Sequence, residues 1–206
     1  MLDAFTLAVR TLGEHFGAAL WALAVFAAGF LLAFLVVRLD VRSLLAFPAW
    51  LMRLAKRHMR PETSPVLMCA FIFLFNSAAI FCYMLSGGLL FLPFVFALLT
   101  GLHIGVIMLK DVQEPRGDLA MRTPPPRAWL GFLGIFVVAV ELSAFWLSIG
   151  MGMELGRAMG AKFAWATFIA AAEPRVLAYT LVVVPALLVS AIAETAAIKV
   201  MLRDEG

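Results

Sequence analysis

The stretch FGAALWALAVFAAGFLLAFLVV, residues 16–37, runs for 22 residues without a charged side chain and ends against Arg38. About 20 helical residues cross the hydrocarbon core of a bilayer, so this stretch predicts a membrane-spanning helix. A secretory signal has a shorter apolar region and a positive flank before it. Here the strongest flank, Arg38 and Arg42, comes after, which favours a true span. Composition carries the same reading to the whole chain. Of 206 residues, 64% are hydrophobic and 14% charged, whereas a soluble domain is nearer half apolar and a quarter charged. A chain of this size has too little interior to hide the excess, and its mean hydropathy is +1.01. The expected fold class is therefore all-α: a polytopic integral membrane helical bundle, residues 1–206 forming one domain.

Four further stretches are long and apolar enough to cross, at about 65–85, 89–109, 128–153 and 176–201. That makes about five transmembrane helices. Only Ser86, Gly87 and Gly88 part the second from the third, which requires a tight antiparallel hairpin. Residues 110–127 (KDVQEPRGDLAMRTPPPR) are the one clearly soluble loop, stiffened by Pro124 to Pro126. The apolar segment 161–172, between Arg157 and Arg175, is too short for a full crossing. It is expected to be re-entrant or to lie on the surface, with a sixth crossing as the alternative.

Two amphipathic segments are expected to lie at the membrane interface. Residues 2–14 space Leu2, Phe5, Val9 and Leu12 along one helical face. Residues 42–60 interleave Arg42, Arg53, Lys56, Arg57 and Arg60 with Leu44, Leu45, Phe47, Trp50, Leu51 and Leu54. Cations on one side and apolar residues with a Trp on the other suit anionic headgroups along the basic stretch 38–60. A cytoplasmic protein docking there is the alternative. The net charge of +3 does not point to nucleic acid, because the cations stand where apolar segments end. With five spans and the N-terminus outside, 12 of the 16 Lys and Arg residues fall in inside segments. The positive-inside rule then places the N-terminus out and the C-terminus in, in a prokaryotic cytoplasmic membrane.

Inside the spans a few residues stand out because lipid does not tolerate them. An ionised carboxylate at mid-bilayer costs about 2.5 kcal/mol or more, so such a group points inward, pairs or holds a proton. Glu141 lies near the middle of the fourth span, and Glu194 in the inner half of the fifth. Asn76 is near the middle of the second; His103 and Thr100 are three apart on the third. Ser148 is seven residues beyond Glu141, and Ser190 four before Glu194, each extending a small polar face. In the five-span topology Asn76, His103, Glu141 and Glu194 lie at comparable depth, so an intramembrane polar cluster is expected. It could be interhelical packing glue, a proton or ion path, or a metal site. The last is weakest, since no His or carboxylate pair has helical ligand spacing.

Small residues mark close helix contacts: Gly101 with Gly105, and Gly152 with Gly156 and Gly160, at GxxxG spacing. Packing within one bundle is the expected use, a homodimer seam the alternative. Pro93 and Pro185 are expected to kink two spans. Cys69 and Cys82 are thirteen residues apart on one span, roughly 20 Å, too far for a disulfide. No nucleophile elbow, P-loop, GxGxxG, HExxH or GxGD motif is present, so no catalytic residue, cofactor or metal is expected.

Three segments in order carry a resemblance. The first, FLFNSAAIFCYMLSGGLLFLPFVFALLTGLHIGVI, has Phe73 and Asn76 at its start and Gly101 and Gly105 at its end. The second, ELSAFWLSIGMGMELG, carries Glu141, Gly152 and Gly156; the third, SAIAETAAI, carries Glu194. Over residues 70–200 these are similar to the stage II sporulation protein M family. Its opening hairpin runs from a Phe-x-x-Asn-like start to an Asn-Gly-x-x-x-Gly pattern, where this chain has Thr100 in place of the Asn. A Pro-His-Gly often precedes the family's glutamate; here Val138, Ala139 and Val140 stand instead. The resemblance implies a multi-pass bundle of five or so helices with two intramembrane glutamates. In spore formers the family is linked to a membrane complex that recruits peptidoglycan-degrading partners. The functional expectation is a non-enzymatic scaffold or recruiting component, partnered by other membrane proteins or by its own copies. An oligomeric ion- or proton-coupled transporter or channel using the glutamates is second, and a metal-dependent intramembrane enzyme third.

Overall fold

A computed structural model describes residues 2–89, 91–113, 128–160 and 163–204. Among these, every regular element is helical: α1 (Leu2–Glu14), α2 (Phe16–Arg38), α3 (Arg42–His58), α4 (Pro65–Leu85), a 3-10 turn (Ser86–Gly88), α5 (Leu92–Gln113), α6 (Ala128–Met159), α7 (Trp165–Ala178), a π-helical turn (Tyr179–Val183) and α8 (Val184–Asp204). Five helical runs are long and apolar enough to span a membrane: Phe16–Arg38, Pro65–Gly88, Leu92–Leu109, Trp129–Met159 and Trp165–Leu202. The loop expected at 110–127 lies, from residue 114 on, outside the described residues.

Residues 165–204 form one helical run, which changes the expected picture of a separate segment at 161–172 and a span beginning at 176. The described part of that segment simply opens the last helix. The run of 38 residues from Trp165 to Leu202 extends about 57 Å at 1.5 Å per residue, well over the roughly 30 Å of hydrocarbon. The π turn sits where Pro185 lacks the N–H that the Leu181 carbonyl would accept, so a widened turn relieves the clash. Pro93 behaves otherwise than expected. α5 begins at Leu92, so Pro93 falls in the first turn, where its missing N–H has no helical partner to lose. At the start of α4, Ser64 accepts a hydrogen bond from the Leu67 N–H at 3.2 Å, with Pro65 as the first helical residue.

α6 is the hub, packing against α2, α4, α5 and α8, while α2 lies most intimately against α5. Glycines set that second contact. A Cβ on Gly101 would stand 2.0 Å from the Phe26 carbonyl oxygen, and one on Gly29 2.0 Å from that of Leu98. Gly105 meets Phe30 and Ala33 of the same partner helix. The Gly101–Gly105 pair is therefore spent inside the bundle, backbone against backbone, as lipid-embedded helices pack. Gly152 lies against the Tyr83 and Met84 carbonyls, and Gly156 is buried. Gly160 does not extend that seam. It is exposed at the end of α6 with φ +62°, the left-handed conformation in which glycine ends a helix.

At the other end of the bundle from α3, the amphipathic α1 packs along α7 and the π turn. Arg175 tightens this end by donating to the Met151 carbonyl at 3.2 Å and to the Ala171 carbonyl at 2.5 Å. Gly101→Val should force α2 and α5 apart and destabilise the protein by about 1–3 kcal/mol. Gly131→Ala, whose new Cβ meets nothing within 4 Å, should cost no stability and gain up to about 1 kcal/mol from helix propensity. Thermal unfolding in detergent compares the two.

Candidate functional site

Glu141 projects from α6 into the seam with α4 and α8. Asn76 of α4 donates from Nδ2 to Glu141 Oε1 at 2.8 Å, and Ser190 of α8 donates from Oγ to the same oxygen at 3.2 Å. Ala144, Ser190 and Ala191 are all buried, so small side chains allow the three helices to close on the carboxylate. Glu194, one turn beyond Ser190, lies near enough to Glu141 for the two carboxylates to interact electrostatically. Among the described residues it has no hydrogen-bond partner.

The two glutamates and Asn76 line a cavity of about 290 Å³, room for several waters or a small polar group. Ile72 and Phe75 of α4 and Ile107 of α5 form its walls. α3 contributes Leu51, Met52, Leu54, Ala55 and Met59 to the lining of this partly open cavity. The amphipathic segment read as a surface helix thus also lies against the cavity that Glu141 and Glu194 line. Sequence reasoning missed that second role. The apolar face of a helix is visible in the sequence, but not the groove it lies over.

His103 does not join the cluster. Its ring rests against Phe47 of α3, centroids 4.7 Å apart, and it is not among the cavity's lining residues. Thr100 donates to Tyr83 Oη at 3.3 Å, linking α5 to α4. Ser148 is fully buried, its Oγ without a hydrogen-bond partner among the described residues. Beside the cluster lies a pair the sequence reading passed over: Tyr179 Oη donates to the Ser77 carbonyl at 2.7 Å and lies 2.8 Å from Ser77 Oγ. A tyrosine and a serine inside apolar helices were the available signal. Among the described residues no three His, Cys, Asp or Glu side chains stand together as metal ligands.

A second buried polar locus lies at the opposite end, at the α1–α2 junction. His15 is only 7% exposed, and its Nδ1 has no partner among the described residues. Burial, with Arg175 of α7 nearby, holds its imidazole below the usual value of 6.5; Glu154 of α6 and Glu14 of α1 oppose this. The folded protein therefore favours neutral His15, while the unfolded chain takes up the proton first. That contribution is complete above about pH 6.5 and is lost as pH falls below it. Acidification from pH 7.5 to 5.5 should lower the unfolding temperature more in the native protein than in His15→Gln, as read by thermal scans in detergent.

No curated protein and no solved structure matches this chain. The model of the family described as stage II sporulation protein M matches residues 22–197. That match takes in α2, which the resemblance over 70–200 had not reached, and runs through the helices that carry Asn76, Glu141, Ser190 and Glu194. With most of its length covered, this membrane protein belongs to the stage II sporulation protein M family.

Proposed function

We propose that the protein is a non-enzymatic component of a membrane complex, holding or recruiting partner proteins rather than conducting a solute. The observation that carries this reading is how Glu141 is used. Its carboxylate accepts from α4 and α8 and so joins three helices into one block. Beyond it, Ile80, Met84, Ala144, Met151, Val183 and Leu187 pack together in one apolar cluster. Such a block suits a rigid platform, because polar groups joined across lipid-embedded helices fix their packing. Arg38, Arg42, Arg53, Arg57, Arg60 and Lys199 belong to the α3 end of the bundle, so we take that end to face the cytoplasm of a prokaryotic cell.

An oligomeric ion- or proton-coupled transporter is the second reading. It is favoured by one observation: Glu194 makes no hydrogen bond among the described residues and shares the cavity with Glu141. The metal-dependent enzyme has less support, since His103 lies against Phe47 instead.

Purified protein in liposomes separates the first two readings. The platform reading expects proton and cation leakage no greater than in protein-free vesicles, with Glu141→Gln and Glu194→Gln reducing stability or assembly. A flux that either substitution abolishes would overturn it.

A further inference from the structure

The placement of α3 joins two features that the sequence presents separately, a basic amphipathic helix and a pair of intramembrane glutamates. We propose that α3 is a roof over the glutamate cavity, and that anionic phospholipid headgroups hold this roof shut.

The inner face is defined by contact. Leu51, Leu54, Ala55 and Met59 of α3 line the same cavity as Glu141 and Glu194. Both ends of the helix are secured to the bundle. At its start Leu45 is buried against α2 and α5 beside Val36 and Leu102, and Phe47 meets His103 of α5. At its end the His58 ring stacks on Phe71 of α4, centroids 4.3 Å apart and planes 3° from parallel. Past that end, Lys199 of α8 donates to the Pro61 and Thr63 carbonyls at 2.8 and 2.5 Å. Between these attachments, among the described residues, the roof meets the bundle through apolar side chains.

The outer face has a different chemistry. Arg42, Arg53 and Arg57 are exposed, and among the described residues neither Arg53 nor Arg57 has an ion-pair partner. Arg42 has only a distant one, 3.7 Å from the carboxylate of Asp40, both side chains largely exposed. Trp50 shares this side, 47% exposed, and Phe47, half-exposed where it packs on His103, lies at its edge, the two rings 5.6 Å apart. Aromatic rings at the level of the headgroups with guanidinium groups beside them are what a surface-lying helix presents to anionic lipid. The headgroup level of an anionic bilayer offers both partners at once, phosphates for the guanidinium groups and an apolar edge for the exposed rings. Arginines seated on phosphates pin α3 at the headgroup level and damp its excursions from the groove, so the charge of the lipid sets how often Glu194 meets water. The inference does not depend on whether the cavity conducts anything.

Nanodiscs, open to reagent from both sides, provide the test. Glu194→Cys in a Cys69→Ser, Cys82→Ser background is treated with an uncharged water-soluble maleimide. Discs of pure phosphatidylcholine are compared with discs holding about 30 mol% phosphatidylglycerol; labelling should be about tenfold slower in the anionic discs. Arg53→Gln with Arg57→Gln should remove the difference. Backbone hydrogen exchange over residues 42–58 in the unsubstituted protein supplies the second measurement, independent of the folding of the cysteine variant. Anionic lipid should protect that stretch, and the double arginine variant should lose the protection. Indifference of the hydrogen exchange to lipid charge, or of the labelling in a folded variant, would overturn the proposal and leave an acidic protein as the partner of this face.

Discussion

A carboxylate set between apolar helices needs hydrogen-bond donors, and Glu141 takes them from two neighbouring helices, which ties together the packing of α4, α6 and α8. α6 carries Glu141 within an otherwise apolar stretch and touches all four other spanning helices. Its carboxylate accepts from Asn76 and Ser190, each on a different neighbour. Removing either donor leaves the carboxylate with the other alone and loosens one of the two helix contacts. One side chain therefore fixes the relative register of α4, α6 and α8.

Glycine does the corresponding work on the other side of α6. α2 and α5 carry few polar groups with which to recognise each other, so shape must hold them. The backbone approaches at Gly29 and Gly101 leave no room for a Cβ on either helix. Close approach brings dispersion contact along the whole crossing, the main attraction available between helices in lipid. The two halves of the bundle thus use different devices, a hydrogen-bonded seam and a backbone seam. α3 spans both, with one end on α2 and α5 and the other on α4.

Much of this was legible in the sequence, for a physical reason. The spans announce themselves because 20 uncharged residues have few other uses. Asn76, Glu141, Ser190 and Glu194 are conspicuous because lipid makes each of them costly, and the structure brings these four together. His103 misled, since its ring lies against Phe47, on a helix outside the spans. Gly160 has the spacing of a packing glycine but the backbone of a helix end. Arg175 resembles a loop residue, yet its guanidinium bonds to helix carbonyls, so the helix continues past it from Trp165. In each case the deciding partner lies on another element, where local pattern gives no sign of it.

The claim on which the rest depends is that Asn76 and Glu141 are bonded across α4 and α6 inside the membrane. A double-mutant cycle of Asn76→Ala and Glu141→Ala, read by unfolding in mixed micelles, measures that bond directly. The account predicts a coupling of about 0.5–1.5 kcal/mol, the range of interhelical hydrogen bonds in membrane proteins. Effects additive to within about 0.3 kcal/mol would contradict it.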